Sequence, residues 1–538
     1  MKLAKHGFMV AALASLLGCG SKAKGPEGPG SGSGSAVEAP PATQDVTMDL
    51  DVVKLQGVTF RVEAFGRPPN MMLVGEKNNK QSIDKLRAAY AKATGPAKES
   101  AAQVLATKLY TQSRKESDEA KKKAALDDSR AVLAEARTAA AGKAEDTTLR
   151  MMGALALVAG DCNGLADAFG ELVQRFPATP TANSERAWLG FCQLRTNKNA
   201  EALATVTGVT PDAADPELAY VTAWAKLRAG DGAGAVAGIT AAAKGWKADG
   251  SRAQVARDLL VILARGGAPA DQAVAAISEF FAGKPPVATL FNLHNAYAFT
   301  GRWADAIAVL EAIITTQPEQ ITKNDLPKFR GLEAQYAMRS LDADKAAGFL
   351  EQSVAAYQAC GDKCTEAELN DGYGNVKNNA VFVHVLYQTS LDERFYAPAK
   401  RIYALYQGLP NRPDAAEVTR NVTQLEQVKT NSKPGTGTHD KSIISPLIAR
   451  HAEEVKGCYE AVLAGDGALS GALGLTIEVD AAGKVTGATS TPPGGKEGLA
   501  KVAACATDAA RSWVLPMRGT KGTTRITAKY ELSPAPTK

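Results

Sequence analysis

Two cysteines that lie close together in the sequence, Cys360 and Cys364, could carry redox chemistry. They occur in the pentapeptide CGDKC, with three residues between the two thiols. Thiol oxidoreductases place two residues between their cysteines, at the start of a helix, whereas this pentapeptide is predicted to lie in a loop. We therefore interpret the pair as a structural disulfide, with a thiol oxidoreductase as the weaker alternative.

The other residue types that support catalysis are scattered along the sequence. His294, His384, His439 and His451 each stand alone, without the spacing of metal ligands. The sequence has no glycine-rich phosphate loop after a strand and no G-x-S-x-G elbow. We therefore predict that the protein is not an enzyme and uses no cofactor or metal, with a cell-wall hydrolase as the weaker alternative.

The N-terminal segment has the layout of an export signal. A basic start precedes the apolar run Phe8–Leu17, which is shorter than the roughly 20 residues that span a bilayer. The run ends at Leu16-Leu17-Gly18-Cys19, which resembles the lipobox of bacterial lipoproteins. The resemblance implies that residues 1–18 are a cleaved signal peptide and that Cys19 is acylated. The alternative is an ordinary secretory signal with a chance cysteine.

Residues 19–45 are rich in Gly, Ser and Pro and have too few apolar side chains to form a core. A flexible chain of about 24 such residues has a root-mean-square reach of roughly 25–30 Å, so we interpret the segment as a lipidated tether. No aspartate follows Cys19, which favours the outer membrane, facing the periplasm. Because the chain is predicted to be exported, we do not expect nucleic acid as a partner. The small excess of positive charge, 62 Lys and Arg against 57 Asp and Glu, says little about partners.

The remaining cysteines support export. An even number of cysteines in an oxidising compartment indicates disulfides. The six can pair in about 15 ways, but proximity in the sequence favours three local pairs. These are Cys162–Cys192, Cys360–Cys364 and Cys458–Cys505.

Local patterns divide the chain into a short β segment and a long helical one. Residues 46–80 are predicted to be a small β element, because apolar residues alternate with polar ones at Val46, Met48, Leu50 and Val52 and again at Val58, Phe60 and Val62. Residues 81–427 are dominated by Ala, Leu, Glu and Lys, and are predicted to be helical. The charged segment 113–146 is predicted to be one long helix with a solvated face.

One stretch within residues 81–427 resembles a tetratricopeptide repeat. The residues that carry the resemblance are Tyr297, Gly301, Ala306, Leu310 and Pro318. His294 and Ile313 depart from the family pattern, and weaker copies surround Gly160 and Gly230. The resemblance implies a mainly α protein with a tetratricopeptide-like α-solenoid, whose concave face binds peptides or helices.

A linker, residues 428–440, precedes a C-terminal unit, residues 441–534. Its pattern predicts the order helix, strand, strand, helix, strand. Its motif residues resemble the C-terminal domain of the AgmX/PglI type, which is itself similar to the TonB C-terminal fold. These residues are Cys458, Tyr459, Gly471, Gly483, Val485, Cys505, Trp513 and Pro516. The resemblance implies a disulfide between the two helices and a Trp513 side chain that packs the second helix onto the sheet.

Domains of this type occur in envelope proteins of myxobacteria and their relatives, including adventurous gliding motility proteins. The resemblance implies an α+β domain whose last strand, around Ile526–Leu532, offers an edge to a partner segment. Equally, the charges of Arg525, Lys529 and Glu531 could simply protect that edge.

These features together predict a lipid-anchored scaffold in the cell envelope. Its expected partners are envelope proteins, held by the helical repeats and by the C-terminal strand edge, and the membrane, held by the lipid on Cys19. A gliding-motility or related envelope-spanning complex is the process that the resemblance suggests. The alternatives are a lipoprotein of outer-membrane assembly and one that attaches to peptidoglycan.

Overall fold

The computed structural model describes residues 46–58, 80–247, 251–410, 412, 414–432, 441–463, 467–480, 483–491, 497–515 and 523–535. The predicted signal peptide, Cys19 and the tether lie outside these ranges, as do Phe60, Val62, His439 and Pro516. Within them the protein is mainly helical and has one small four-stranded sheet. None of the described helices has the length and apolar character needed to span a bilayer.

Most of the helices form one region, which we call the helical body. Its helices are α1 (Ile83–Lys92), α2 (Pro96–Lys115), α3 (Glu119–Ala139), α4 (Asp146–Val158), α5 (Cys162–Arg175), α6 (Ala182–Arg195), α7 (Asn199–Val206), α8 (Pro216–Arg228), α9 (Gly232–Gly245), α10 (Arg252–Arg265), α11 (Ala270–Phe280), α12 (Val287–Ala298), α13 (Trp303–Thr316), α14 (Asp325–Arg339), α15 (Ala343–Cys360), α16 (Glu366–Ser390), α17 (Glu393–Gln407) and α18 (Ala415–Asn431). Short 3-10 turns at Pro318–Gln320 and Gly361–Lys363 follow α13 and α15.

Successive helices of the body pack against each other in chain order. From α4 to α17 they form pairs, in which α4 packs on α5, α8 on α9 and α14 on α15, and each pair also contacts the next one. The apolar side chains between the pairs form one continuous core, while α1 to α3 enclose a second cluster with part of α4. Each helix therefore buries its apolar face on its neighbours in the sequence.

A left-handed backbone residue ends the first helix of all seven of these pairs. Gly301, predicted from the sequence to form such a turn, has a φ of 73°. Glycine adopts this conformation without strain, whereas a leucine there costs about 1–2 kcal/mol. The pattern of glycines therefore reveals only some of the turns. The equivalent residues of the other pairs are Gly160, Asn197, Gly230, Gly267, Leu341 and Leu391.

The prediction of one long helix over residues 113–146 is wrong. α2 ends at Lys115 and α3 begins at Glu119, so the chain breaks between them. The Asp118 carboxylate accepts hydrogen bonds from the backbone N–H groups of Ala120 and Lys121, at 2.9 and 3.0 Å. This is an N-terminal cap, and its signal is hidden in the sequence because charged residues of both signs surround it.

The C-terminal module, residues 441–534, contains the remaining helices and most of the sheet. Its elements are α19 (Lys441–Ala449), α20 (Ala452–Leu463), β2 (Gly471–Val479), β3 (Val485–Thr491), α21 (Glu497–Ala510) and β4 (Thr524–Pro534). The first predicted helix is thus two helices, divided at Arg450 and His451. The division follows tertiary contacts, since the His451 ring stacks on Trp513, 4.1 Å between ring centroids, and Arg450 donates to the Val514 carbonyl at 2.6 Å.

The predicted β element at the N-terminus is a strand, β1 (Val46–Gly57), but it does not stand alone. It joins the sheet of the C-terminal module, which has the order β1-β4-β2-β3. β1 runs parallel to β4, from Val46 beside Thr524 to Gly57 beside Pro534, and β2 is antiparallel to both β3 and β4. Alternating residues predict a strand, but they do not say which strand it will pair with.

Among the described residues, helices cover only one face of the four-stranded sheet. Leu473, Leu475, Ile477 and Val479 of β2 point to the helices of the module and are buried. The opposite face carries polar pairs across the strands, such as Arg525 with Glu478 at 2.6 Å. This alternation is typical of a sheet that packs on a core on one side and contacts solvent on the other.

Candidate interaction site where three parts of the chain meet

The structure brings all six described cysteines into pairs at bonding distance, and the pairs are those that sequence proximity favours. Cys162 with Cys192 links α5 to α6, Cys360 with Cys364 closes the end of α15, and Cys458 with Cys505 links α20 to α21. Cys360 and Cys364 are almost fully buried. Their surroundings are therefore compatible with a structural pair.

The long-range disulfides are expected to contribute more stability than the short one. Cross-linking lowers the entropy of the unfolded chain more when the closed loop is longer. The separations are 47 residues for Cys458–Cys505 and 4 for Cys360–Cys364. Replacing both members of each pair with alanine should therefore cost about 4 and about 2 kcal/mol respectively. Urea unfolding of the two double variants measures this difference, and equal losses would contradict the expectation.

The residues that define the tetratricopeptide resemblance hold helices together. Tyr297, Ala306 and Leu310 are completely buried, and the Tyr297 hydroxyl donates to the Ala268 carbonyl at 2.8 Å. Burial raises the pKa of Tyr297 above its usual range. α13 ends at Thr316, two residues before Pro318. The side chains of Tyr297, Ala306 and Leu310 are therefore not available to a ligand.

The two histidines of the helical body are also internal. Burial lowers the pKa of His294 and that of His384 from 6.5 to about 4 in each case, so both rings are neutral at physiological pH. Nδ1 of His384 lies 3.2 Å from the Tyr403 hydroxyl. Within the described ranges, no group of three His, Cys, Asp or Glu side chains is arranged to hold a metal ion.

A buried carboxyl group in α14 makes stability depend on pH. Burial raises the pKa of Glu333 from 4.5 to about 7, although Arg330 donates to it at 2.7 Å. A carboxyl group whose pKa is higher in the folded protein adds stability below its unfolded pKa. That stability is lost as the pH rises through the folded value.

As the pH rises from about 5 to about 8, the parent protein loses stability through ionisation of Glu333, whereas Glu333→Gln does not. The free energy of unfolding of Glu333→Gln is therefore expected to rise relative to that of the parent protein over this range. The expected gain is about 1–3 kcal/mol. Urea unfolding at both pH values measures it. A difference in unfolding free energy that does not change with pH would contradict the expectation.

One carboxylate, that of Glu460 in α20, joins three separate parts of the chain. Its Oε1 accepts a hydrogen bond from the backbone N–H of Val58, just after β1, at 2.8 Å. Its Oε2 forms an ion pair with Arg265, the last residue of α10. The Glu460 side chain is only 3% exposed and that of Arg265 is 15% exposed. The N-terminal strand, the helical body and the C-terminal module therefore meet at the Glu460 carboxylate.

The motif residues of the C-terminal module surround this junction. Gly57 of β1 lies against the buried Tyr459 ring, so closely that a methyl group there would be 2.6 Å from it. Trp513 donates from its indole N–H to Glu454 at 2.8 Å, and Nδ1 of His451 lies 2.8 Å from the same carboxylate. Burial lowers the pKa of His451. Tyr459 and Trp513 thus position the helix that carries Glu460.

The other motif residues shape the sheet and its turns. Gly471 begins β2 and lies against Leu499 of α21. Gly483 adopts a left-handed conformation in the turn before β3, and its carbonyl accepts from the Leu515 N–H at 2.7 Å. Val485 begins β3 and is buried. The chain segment that carries Trp513 is thereby fixed to the turn between β2 and β3.

A cleft of about 390 Å³ lies beside Glu460, between the helical body and the C-terminal module. One wall consists of the turns that contain Gly230, Gly267 and Gly301, and the other of α20. The turns are held by arginines: Arg228 donates to the Leu194 carbonyl at 2.8 Å, and Arg302 to the Ala264 carbonyl at 3.2 Å. The module therefore packs on the edge of the body where helix pairs turn.

The sequence analysis did not predict that Arg265, Glu460 and Val58 come together at one site. One signal was present, because α6, α8, α10 and α14 all end on an arginine. The pattern is not specific to the turn edge, because α5, the second helix of its pair, also ends on an arginine. It does not indicate the glutamate, which lies 195 residues away from Arg265 in the sequence.

No protein-family model matches this sequence, and no curated protein matches it either. The resemblances to tetratricopeptide repeats and to the AgmX/PglI-type domain therefore depend on the motif residues named above.

Proposed function

We propose that the protein is a lipid-anchored, non-enzymatic scaffold of the cell envelope, which holds other envelope proteins. In this proposal the helix pairs α4–α17 are a tetratricopeptide-like solenoid and the C-terminal module has the TonB-like fold. The lipid on Cys19 attaches the chain to a membrane, which the proposal takes to be the outer membrane, on its periplasmic side. A gliding-motility or related envelope-spanning complex is the proposed setting, on the resemblance of the module.

The observation that supports a holding role is the junction at Glu460. β1 follows directly after the proposed tether, and it is paired along its length with β4. Glu460 then connects the end of β1 to the helical body through Arg265. A pull on the tether would therefore act on the module and the body together. Such continuity suits a protein that keeps partners attached to a membrane.

The proposal is tested by in-cell crosslinking of a tagged chain, followed by capture from detergent-solubilised envelope and mass spectrometry. Motility or TonB-like envelope proteins among the captured partners would support the scaffold. Barrel-assembly components would favour outer-membrane assembly instead, and peptidoglycan fragments would favour attachment to the cell wall. Thiol-exchange or peptidoglycan-cleaving activity of the purified chain would overturn the non-enzymatic proposal.

A further inference from the structure

The strand edge predicted at Ile526–Leu532 is not open to a partner, because β4 lies between β1 and β2. A marked charge asymmetry lies instead in helices α1 to α3, which with part of α4 enclose a separate apolar cluster. Residues 80–143, which contain these three helices, have 14 Lys and Arg but only 8 Asp and Glu. This excess of six positive charges exceeds the excess of five for the whole chain. The positive charge is therefore concentrated in these three helices.

The end of the hairpin between α2 and α3 is exposed and basic. We call residues 114–123, with the sequence RKESDEAKKK, the basic tip. Nine of these ten residues are exposed, so the tip faces solvent on most sides. Its three carboxylates are bound within the tip: those of Glu116 and Asp118 accept backbone N–H groups, and that of Glu119 pairs with Lys122. They therefore do little to neutralise the other cations.

Three of the five cations of the tip have no carboxylate partner. Lys123 pairs with Asp127, whereas Arg114, Lys115 and Lys121 form no ion pair with the residues that the structure describes. Lys121 also lies in the first turn of α3, where the positive end of the helix dipole disfavours a cation. Residues that oppose a local preference in this way are expected at functional sites. The tip thus presents charge that the fold itself does not use.

We propose that the basic tip binds the anionic headgroups of the membrane to which the chain is anchored. Each Lys or Arg near an anionic lipid surface adds to the attraction. The contact is electrostatic and does not insert into the membrane, because no large apolar side chain of residues 80–143 is among the exposed ones. A lipid surface is favoured over an acidic protein because an anchor on Cys19 keeps the membrane at a high local concentration.

This inference rests on the lipid anchor of the proposed function for its biological setting. By itself the tip would hold the chain only weakly and reversibly, so attachment still depends on the lipid. A basic patch that binds the same membrane makes such an anchor firmer. It would also orient the helical body, because the tip and the tether would then both be held at the membrane surface.

The attraction is measured on a chain without the lipid, so that its failure is distinct from a failure of the scaffold proposal. The chain from residue 19, with Cys19→Ser, is mixed at low salt with vesicles of phosphatidylglycerol and phosphatidylcholine, or with vesicles of phosphatidylcholine alone. Flotation through a sucrose gradient measures the bound fraction. We expect binding to the anionic vesicles only, and its loss at about 0.5 M salt, because salt screens exposed charges.

Two matched variants locate the binding surface. The tip variant combines Arg114→Gln, Lys115→Gln and Lys121→Glu, and so lowers the net charge by four. The control variant makes the same change of charge at three exposed lysines of the helical body, by Lys198→Glu, Lys284→Gln and Lys323→Gln. In both variants the new glutamate lies at a helix N-terminus, where it suits the dipole. Both are therefore expected to fold, and circular dichroism checks this.

We expect the tip variant to bind the anionic vesicles about tenfold or more weakly than the parent chain, and the control variant to bind them like the parent. No binding of the parent chain, equal binding to phosphatidylcholine vesicles, or equal loss in both variants would overturn the proposal. An acidic protein that the tip variant no longer captures in cells, together with unchanged vesicle binding, would assign the tip to a protein partner and also overturn it.

The scaffold proposal is decided separately, by the envelope partners that the chain captures and by the acylation of Cys19. A chain that captures envelope partners but binds no anionic vesicles supports the scaffold and overturns the role of the tip. A chain that binds the vesicles through the tip but captures no envelope protein supports the tip and overturns the scaffold.

Discussion

Replacing Glu460 with alanine is expected to lower the free energy of unfolding by about 3 kcal/mol, because Arg265 then remains buried without this carboxylate. The substitution also removes the acceptor of the Val58 N–H. We therefore expect the end of β1 to loosen and the module to separate from the body. Urea unfolding measures the loss of stability, and hydrogen exchange at the Val58 amide and along α20 measures the loosening.

Two further variants identify the cause. Glu460→Gln keeps the size of the side chain and an oxygen for the Val58 N–H, but it loses the charge that pairs with Arg265. It should cost stability while it preserves slow exchange at Val58. Glu497→Ala removes an exposed carboxylate, 85% accessible, that pairs with Lys501, and should change stability little, because exposed ion pairs contribute little. If Glu460→Ala is as stable as Glu497→Ala, the junction does not hold the three parts together.

Loss of the proposed acyl chains on Cys19 is expected to release the mature chain from the membrane. An acyl chain contributes about 0.8 kcal/mol of membrane binding for each buried CH₂ group, and this contribution is lost with the cysteine. In cells fed an alkyne-labelled fatty acid, the parent chain should carry the label and Cys19→Ser should carry none.

Location is measured with a second design, because an uncleaved signal could itself hold Cys19→Ser at the membrane. In that design residues 1–19 are replaced by an ordinary cleavable secretory signal. The resulting chain should move from the membrane fraction to the soluble envelope fraction. Label on Cys19→Ser, or a chain that stays with the membrane after this replacement, would contradict lipid anchoring at Cys19.

Several parts of the fold could be predicted because the physics behind them is local. The turn at Gly301 follows from the freedom of glycine at positive φ, and the strands β2 and β4 follow from alternating apolar residues. The cysteine pairs follow from their separation along the chain. The predicted helix over residues 113–146 failed for an equally local reason, since the Asp118 cap is one charged residue among many.

The candidate site could not be predicted, because its parts are distant in the sequence. Glu460 meets Val58 across 402 residues and Arg265 across 195. Nothing in the neighbourhood of any one of them specifies the other two. The turn at Leu341 was missed for a related reason. There the packing of neighbouring helices imposes a backbone conformation that the residue itself disfavours.

The sequence by itself therefore determined the elements of this protein: mainly helices, a few alternating strands and three local cysteine pairs. These elements depend on the periodicity of apolar residues, on the positions of glycines and on the separation of the cysteines. Each of these features can be read directly from the sequence. Only the tertiary structure decided that β1 pairs with β4 and that β3 is an outer strand of the sheet. It also decided that the Glu460 carboxylate links β1, the helical body and the C-terminal module. These outcomes depend on which buried surfaces and charges complement each other across hundreds of residues, and no local pattern contains that information.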